Sequence, residues 1–384
     1  MNKVRLGIIG QGNMGSTHLK NYLDGLMPEI EVVAIADLLQ DRIDKSKEKL
    51  EGKVATFLEG EDLIKSGVCD AVLIATPHYA HPALAIKAFE AGLHVMCEKP
   101  AGVYTLQVRE MNEAAAKTDK IFGMMFNQRT SANYRKMKEL VETGEIGEIK
   151  RVNWIVTDWY RTQIYYDSGS WRATWDGEGG GVLLNQCPHN LDLMQWICGM
   201  PSKVTAFCHE GKWHDIEVED DVTAYLEFSN GATGVFVTST GDAPGTNRFE
   251  ITGTKGRLIC ENGKIHFTKL KMDEREFCVT SENGFGKPEV EEMVVETDGL
   301  SQQHVGVMNK FAAAILRGED LVAHGAEGIN GLMLSNAMHL SSWTGKSVEL
   351  PIDEKFFLEE LNKKRATSKL KEEKAIIFHT DGSY

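Results

Sequence analysis

The tightest constraint on this chain lies between Val4 and Asp37. Val4-Arg5-Leu6-Gly7-Ile8-Ile9-Gly10 is a short apolar run with the composition of a buried parallel strand. It breaks at Gly10-Gln11-Gly12-Asn13-Met14-Gly15, and a helical stretch from Ser16 to Leu26 follows. A second apolar run, Glu31 to Ala36, then ends on Asp37. A G-x-G-x-x-G turn between a strand and a helix suits dinucleotide binding. Gly10 allows the tight turn, Gly12 lets the backbone approach a pyrophosphate, and Gly15 lets the helix pack close to the strand. The helix N-terminus faces the phosphates. A carboxylate about twenty residues further on, here Asp37, suits the ribose hydroxyls.

The alternation continues. Asp70-Ala71-Val72-Leu73-Ile74-Ala75-Thr76-Pro77 is a buried strand breaking into a loop, and a helix from Pro82 to Ala91 follows. His78 and His81 stand at HxxH spacing, but no third ligand of suitable type is near. They read as loop and helix-start histidines beside the cofactor, and no metal is expected. His94 to Cys97 is a further strand, and Glu98-Lys99-Pro100 sits at its end. In open α/β sheets, ligands bind beyond the carboxyl ends of the strands, so a lysine there points at chemistry. A helix from Leu106 to Lys117 and a strand from Ile121 to Phe126 complete a doubly wound parallel sheet.

Past residue 126 the pattern changes. Strands follow one another at Val222–Phe228, Thr233–Thr240, Asn247–Thr252, Arg257–Glu261 and Lys264–Lys269. Asn230-Gly231 and Asn262-Gly263 are hairpin-turn pairs between them. The expectation is an α/β chain in three blocks. Residues 1–126 form the dinucleotide domain. Residues 127–354 form an α+β substrate and oligomerisation domain with a mostly antiparallel open sheet. Residues 355–384 form a charged tail. Helices from about His304 to Arg317 and Gly328 to Thr344 are expected to cover that open sheet.

Composition narrows the partners. The net charge of −14 disfavours nucleic acid, which needs a clustered basic surface. No apolar run approaches a membrane span, and Met1-Asn2-Lys3 leads directly into a strand, so a cytoplasmic protein without a signal peptide is expected. The seven cysteines are scattered without paired spacing, as reduced thiols would be.

In the second half, Gly179-Gly180-Gly181 leads through Asn185 to Pro188-His189, where Pro188 suits the first turn of a helix and His189 follows it. His189 could be a core histidine, and its place after a glycine-rich loop also suits a site. Upstream lie Trp154, Trp159, Tyr160, Tyr165, Tyr166, Trp171 and Trp175, with Arg161 and Arg172. Aromatic faces among polar groups suit a sugar, and this run is expected to wall the substrate.

Taken together, Gly10-x-Gly12-x-x-Gly15, Asp37, Thr76-Pro77-x-x-x-His81, Glu98-Lys99-Pro100 and Gly179-Gly180-Gly181 through His189-x-x-Asp192 resemble the Gfo/Idh/MocA oxidoreductases over roughly residues 3 to 350. The resemblance implies a Rossmann domain and a nicotinamide-dependent dehydrogenase acting on a sugar, cyclitol or derivative. It implies that Lys99 and His189 are catalytic, and that dimers or tetramers form through the second sheet's open face. Members of the family often carry Asp where this chain has Asn185.

The resulting reading is hydride transfer between a secondary alcohol and NAD, with NADP disfavoured by Asp37. Lys99 holds the reacting oxygen and His189 takes its proton, with Asn185 as a third catalytic candidate. The cofactor is expected at Gly10, Gly12, Asn13, Met14, Gly15, Asp37, Thr76, Pro77, His78, His81, Glu98 and Lys99. The substrate is expected at Lys99, Asn127, Trp159, Tyr160, Trp171, Arg172, Asn185 and His189. Two other readings are a glycoside-processing enzyme that uses tightly bound NAD transiently, and a dinucleotide-sensing regulator.

Overall fold

The computed structural model describes residues 3–369 and 371. The chain divides into two units, each built on its own sheet. The first holds the chain up to Ser131 together with Ser301–Leu332, and the second holds Ala132–Leu300 and the chain from Met333. The first unit is therefore discontinuous, where the sequence reading has contiguous blocks. Residues 370 and 372–384 of the expected 355–384 tail lie outside the described residues; within them, Glu354–Thr367 is a helix.

The first sheet contains β1 (Val4–Ile9), β2 (Ile30–Ala36), β3 (Ala55–Phe57), β4 (Ala71–Ile74), β5 (His94–Cys97) and β6 (Phe122–Met124). Their order is β3-β2-β1-β4-β5-β6, and every pair is parallel. Leu6, Ile8, Val72, Leu73, Val95 and Met96 are buried, as strands covered on both faces require. Helices Asn13–Leu23, Ala80–Glu90 and Thr105–Ala115 supply cover between strands. The order reverses between β1 and β4, and ligands in such sheets lie at that crevice.

The helix Gln303–Arg317 corrects one expectation. It belongs to the first unit, not to the cover of the second sheet. Its Val307, Met308, Phe311 and Ala312 join one apolar cluster with Leu6, Ile8, Ile35 and Leu73. An apolar helix face states that burial is needed and leaves open which sheet provides it.

The second sheet contains β7 (Ile149–Val156), β8 (Lys203–Glu210), β9 (Glu219–Glu227), β10 (Thr233–Ser239), β11 (Asn247–Gly253), β12 (Gly256–Glu261), β13 (Lys264–Leu270), β14 (Val290–Val295) and β15 (Val348–Glu349). The order is β14-β13-β12-β11-β7-β10-β9-β8-β15. Only β7 and β10 pair in parallel. Alternation is the rule here. Val152, Trp154, Ala224, Phe236 and Ile251 are buried on one face, while Ile155, Phe207 and Tyr225 are exposed on the other. At the β12–β13 hairpin, Asn262 and Gly263 both have positive φ (51° and 72°), as a type I′ turn demands. Among the described residues, no helix is long and apolar enough to cross a membrane.

Candidate active site

In the first unit, the expected cofactor residues gather at the carboxyl ends of the strands. Gly10 follows β1 with φ of 94°, and a Cβ there would lie 2.5 Å from the Ala75 carbonyl oxygen. A Cβ on Gly15 would lie 1.8 Å from the Gly10 carbonyl oxygen, so only glycine lets the helix sit this close. Gly12 differs, because a Cβ there meets nothing nearer than Arg42 Nη1 at 3.9 Å. The protein's own packing does not require that glycine, and an approaching ligand would. Gly12 is also the N-cap of Asn13–Leu23, and no side chain caps that end. Asn13 and Met14 open the helix, which leaves its positive pole suited to an anion.

Asp37 closes β2 as a buried carboxylate. Its Oδ2 accepts from the Gln11 backbone N–H at 2.7 Å, and its Oδ1 accepts from that of Leu39 at 2.9 Å. Arg42 Nη1 lies 3.5 Å from Asp37 Oδ2, so the nearest basic side chain is paired with the carboxylate itself. These groups fit a pyrophosphate and a ribose diol.

Thr76 and Pro77 form the loop after β4. His81 holds that loop to the next one, with Nδ1 2.8 Å from the Pro100 carbonyl oxygen and Nε2 2.7 Å from that of Thr76. Burial pushes its pKa down, against the upward pull of the two carbonyls. Both ring nitrogens are turned to the backbone, which removes His81 as a metal ligand. His78 is buried, with its ring 6.1 Å from that of His81.

Glu98 and Lys99 follow β5. Glu98 is buried, and its Oε1 lies 2.7 Å from His18 Nε2. Burial would raise the Glu98 carboxyl, but the hydrogen bond and charge of His18 outweigh it and bring the pKa to about 2. Glu98 Oε2 accepts from the Lys99 backbone N–H at 3.2 Å. The ring of His304 stands edge-on to His18 at 5.5 Å, and burial brings the His304 pKa to about 4. The sequence reading missed His18 and His304. His18 lies three residues beyond Gly15, on the side of the helix that faces inward, and that spacing was the available signal. His304 had none, because its helix is distant in sequence. Asn127 is buried, and its Nδ2 donates to Gln303 Oε1 at 2.6 Å.

In the second unit, the glycine-rich segment is packed tightly. Gly179 has φ of 83°, and a Cβ on Gly181 would lie 1.9 Å from the Glu219 carbonyl oxygen. The buried Glu219 carboxylate accepts from the Gly181 and Leu183 backbone N–H groups at 2.9–3.0 Å. His189 is the second residue of the helix Pro188–Cys198 and is half-buried. Asn185 lies in the turn before that helix and is also half-buried. Its Nδ2 donates to Glu178, a buried carboxylate that the sequence reading passed over.

The aromatic run divides. Trp154 is core, stacked on Phe249 at 4.1 Å and paired with it across β7 and β11. Tyr166 and Trp175 are also buried, and Trp175 meets the rings of His339 and Trp343 edge-on. These three leave the expected sugar wall, since inward strand positions and helix contacts claim their faces. Trp159, Trp171 and Arg172 remain partly accessible, and Tyr160 is exposed. Trp159 Nε1 donates to Asn190 Oδ1 at 3.2 Å. Arg172 lies over the rings of Tyr165 and Trp171 at 4.4 and 4.8 Å, and its Nη1 donates to the Tyr165 hydroxyl at 2.7 Å.

Residues 4–126 match the oxidoreductase family with an NAD-binding Rossmann fold, and residues 134–259 match the GFO/IDH/MocA C-terminal domain. The chain belongs to the GFO/IDH/MocA oxidoreductase family. It is 28% identical over 355 residues to myo-inositol 2-dehydrogenase of Thermotoga maritima, covering 90% of this chain and 98% of that one. It is 28% identical over 315 residues to levoglucosan dehydrogenase of Pseudarthrobacter phenanthrenivorans, covering 72% and 80% of the two chains. Among solved structures, it is similar to the WlbA dehydrogenase from Bordetella pertussis in complex with NADH and UDP-GlcNAcA. The TM-score is 0.76 and the identity 25%, over 92% of this chain and all of the other. The chain is an NAD-binding oxidoreductase of the sugar and inositol dehydrogenase type.

Proposed function

We propose that the protein oxidises a secondary alcohol of a sugar or cyclitol, with Lys99 and His189 handling the proton. The observation that carries this reading is Lys99 at the carboxyl end of β5, beside the strands that flank the reversal of strand order. Its neighbour Glu98 is locked by His18, so the backbone that delivers Lys99 is held rigidly. Bound NAD⁺ supplies the hydride acceptor. Lys99 donates a hydrogen bond to the alcohol oxygen and stabilises the charge that develops as the C–H bond breaks. His189 receives the hydroxyl proton. Trp159, Trp171 and Arg172 offer rings and a guanidinium to a polyol, whose C–H faces are apolar and whose hydroxyls are not. The exposed face carrying Ile155, Phe207 and Tyr225 supports assembly of like subunits.

The test is a panel of hexoses and inositols with NAD⁺ and with NADP⁺, following reduced cofactor. Lys99→Ala and His189→Ala are expected to lose roughly 10²–10⁴-fold in turnover on the best substrate. Turnover near wild type in both variants would overturn the assignment. A product with no net absorbance change would instead favour transient use of the cofactor.

A further inference from the structure

The second unit holds a buried carboxylate that hydride transfer does not use. Glu178 is 1% exposed, in the turn just before the triple glycine. Its Oε2 accepts from the Ala173 backbone N–H at 2.6 Å, and its Oε1 accepts from Asn185 Nδ2. The other end of the same amide, Asn185 Oδ1, accepts from the Tyr165 hydroxyl at 3.3 Å. That hydroxyl accepts from Arg172 Nη1 at 2.7 Å and from Gln186 Nε2 at 3.2 Å. A chain of hydrogen bonds therefore runs from a buried anion, through the Asn185 amide and a phenol, to a guanidinium.

This chain fixes which way round the amide lies. An ionised carboxylate only accepts, so Nδ2 must face Glu178. Turning the amide over would set Oδ1 against a carboxylate oxygen and leave Tyr165 facing a donor. We propose that Glu178 is a positioning residue for the substrate site, committing Asn185 to offer its carbonyl oxygen, an acceptor, to a hydroxyl of the sugar or cyclitol. The inference rests on the reading of Asn185 as a substrate contact. It also revises what Asp at position 185 would do. Its carboxylate would face that of Glu178 across a hydrogen-bond contact, and the pair would have to share a proton.

Protonation of Glu178 undoes the commitment, because a carboxylic acid can donate to Oδ1 and accept the inverted amide. Burial pushes the Glu178 carboxyl up, opposed by the charge of Arg172 and reinforced by that of Glu219. Glu219 is itself paired with His339 at 3.0 Å. Tyr165 and Tyr166, whose phenol pKa values burial pushes up, face Glu178 as neutral groups. Loss of activity on the acid side follows.

The test uses the full chain and its fastest substrate from the hexose and inositol panel, with Glu178→Gln, Glu178→Asp and Asn185→Ala. Glu178→Gln is nearly isosteric, but the Ala173 N–H claims its carbonyl oxygen and turns its NH₂ toward Asn185, which favours the inverted amide. It should lower kcat/KM roughly tenfold to a hundredfold and remove the Glu178 step from the acid limb, leaving the step that His189 sets, with Glu178→Asp restoring part of both. NADH binding, read by fluorescence, should stay unchanged. A second measurement does not depend on turnover. The side-chain NH₂ resonances of ¹⁵N-labelled Asn185 should titrate in the wild type and lose that titration in Glu178→Gln. Wild-type kcat/KM and pH profile in Glu178→Gln would overturn the proposal. So would a loss accounted for by thermal stability alone, or Asn185 resonances that do not titrate in the wild type. If Lys99→Ala and His189→Ala also turn over normally, the reading of the site fails. If only the Glu178 variants do, the reading stands and this inference falls.

Discussion

The decisive residues of this chain are charged or polar groups whose roles depend on one or two partners. Asp37 shows this. Its two oxygens each take a backbone N–H, and Arg42 stands beside it, so the carboxylate is rigidly set at the strand end. A 2′-phosphate would meet that negative charge. NAD⁺ should therefore be preferred over NADP⁺, and Asp37→Ser should narrow the ratio of kcat/KM values by roughly tenfold or more. Equal wild-type values for the two cofactors would refute this. The aromatic run gives a second contrast. Trp171→Ala should raise KM for the sugar with little change in stability. Trp175→Ala should lower stability by about 3–5 kcal/mol, because a buried ring against His339 and Trp343 is lost. Thermal melts and kinetics on the two variants separate wall from core. The sequence shows seven large rings in one stretch and does not say which are inside. The alternation of β7 puts Trp154 inward, and the tertiary contacts of residues distant in sequence bury Trp175.

At the level of elements, five of the six parallel strands were legible because buried strands are short apolar runs separated by helices, while β3, three partly buried residues at the sheet edge, was not. Two of the hairpins, β9–β10 and β12–β13, were legible from their Asn-Gly pairs. The allegiance of Gln303–Arg317 was not. It follows β14 directly in sequence and packs with the first sheet. Its amphipathic pattern would satisfy any apolar surface. Phe311→Ala should accordingly destabilise the first unit by about 3–5 kcal/mol, seen as a lower unfolding midpoint. Hydrogen exchange should show reduced protection in β1 and β4. Unchanged protection there would place the helix elsewhere.

For the molecule as a whole, the buried groups of the first unit set its response to acid. The His304 pKa is about 4 in the fold against 6.5 unperturbed, so the unfolded chain binds the extra proton. Stability should fall as pH drops from about 6.5 to 4. The Glu98 carboxyl lies at about 2 against 4.5, so its contribution is present above the unfolded value and is lost as pH falls from about 4.5 to 2. Together they give acid sensitivity in two successive windows, on the order of a few kcal/mol in total. Urea unfolding at stepped pH values should show both. His304→Gln should flatten the upper window and narrow the lower one, since the His304 charge helps to hold the Glu98 carboxyl down. A single transition below pH 4 in the wild type would count against the buried state of His304.

The sequence by itself determined the parallel sheet, the glycine turn, Asp37, the strand-end Lys99 and the helix-start His189. Each depends on backbone geometry over a few neighbouring residues, which local composition encodes. Tertiary structure alone decided that His18 grips Glu98, that Asn127 is tied to Gln303, and that Glu178 stands behind Asn185. Glu98 and His18 are 80 positions apart, and Asn127 and Gln303 are 176 apart. Glu178 is only seven residues from Asn185, yet a glycine-rich turn rather than a helix or strand joins them, and no periodicity brings their side chains together. Contacts of this kind arise when buried polar groups must find partners during packing, and the requirement for a partner is not written into any one segment.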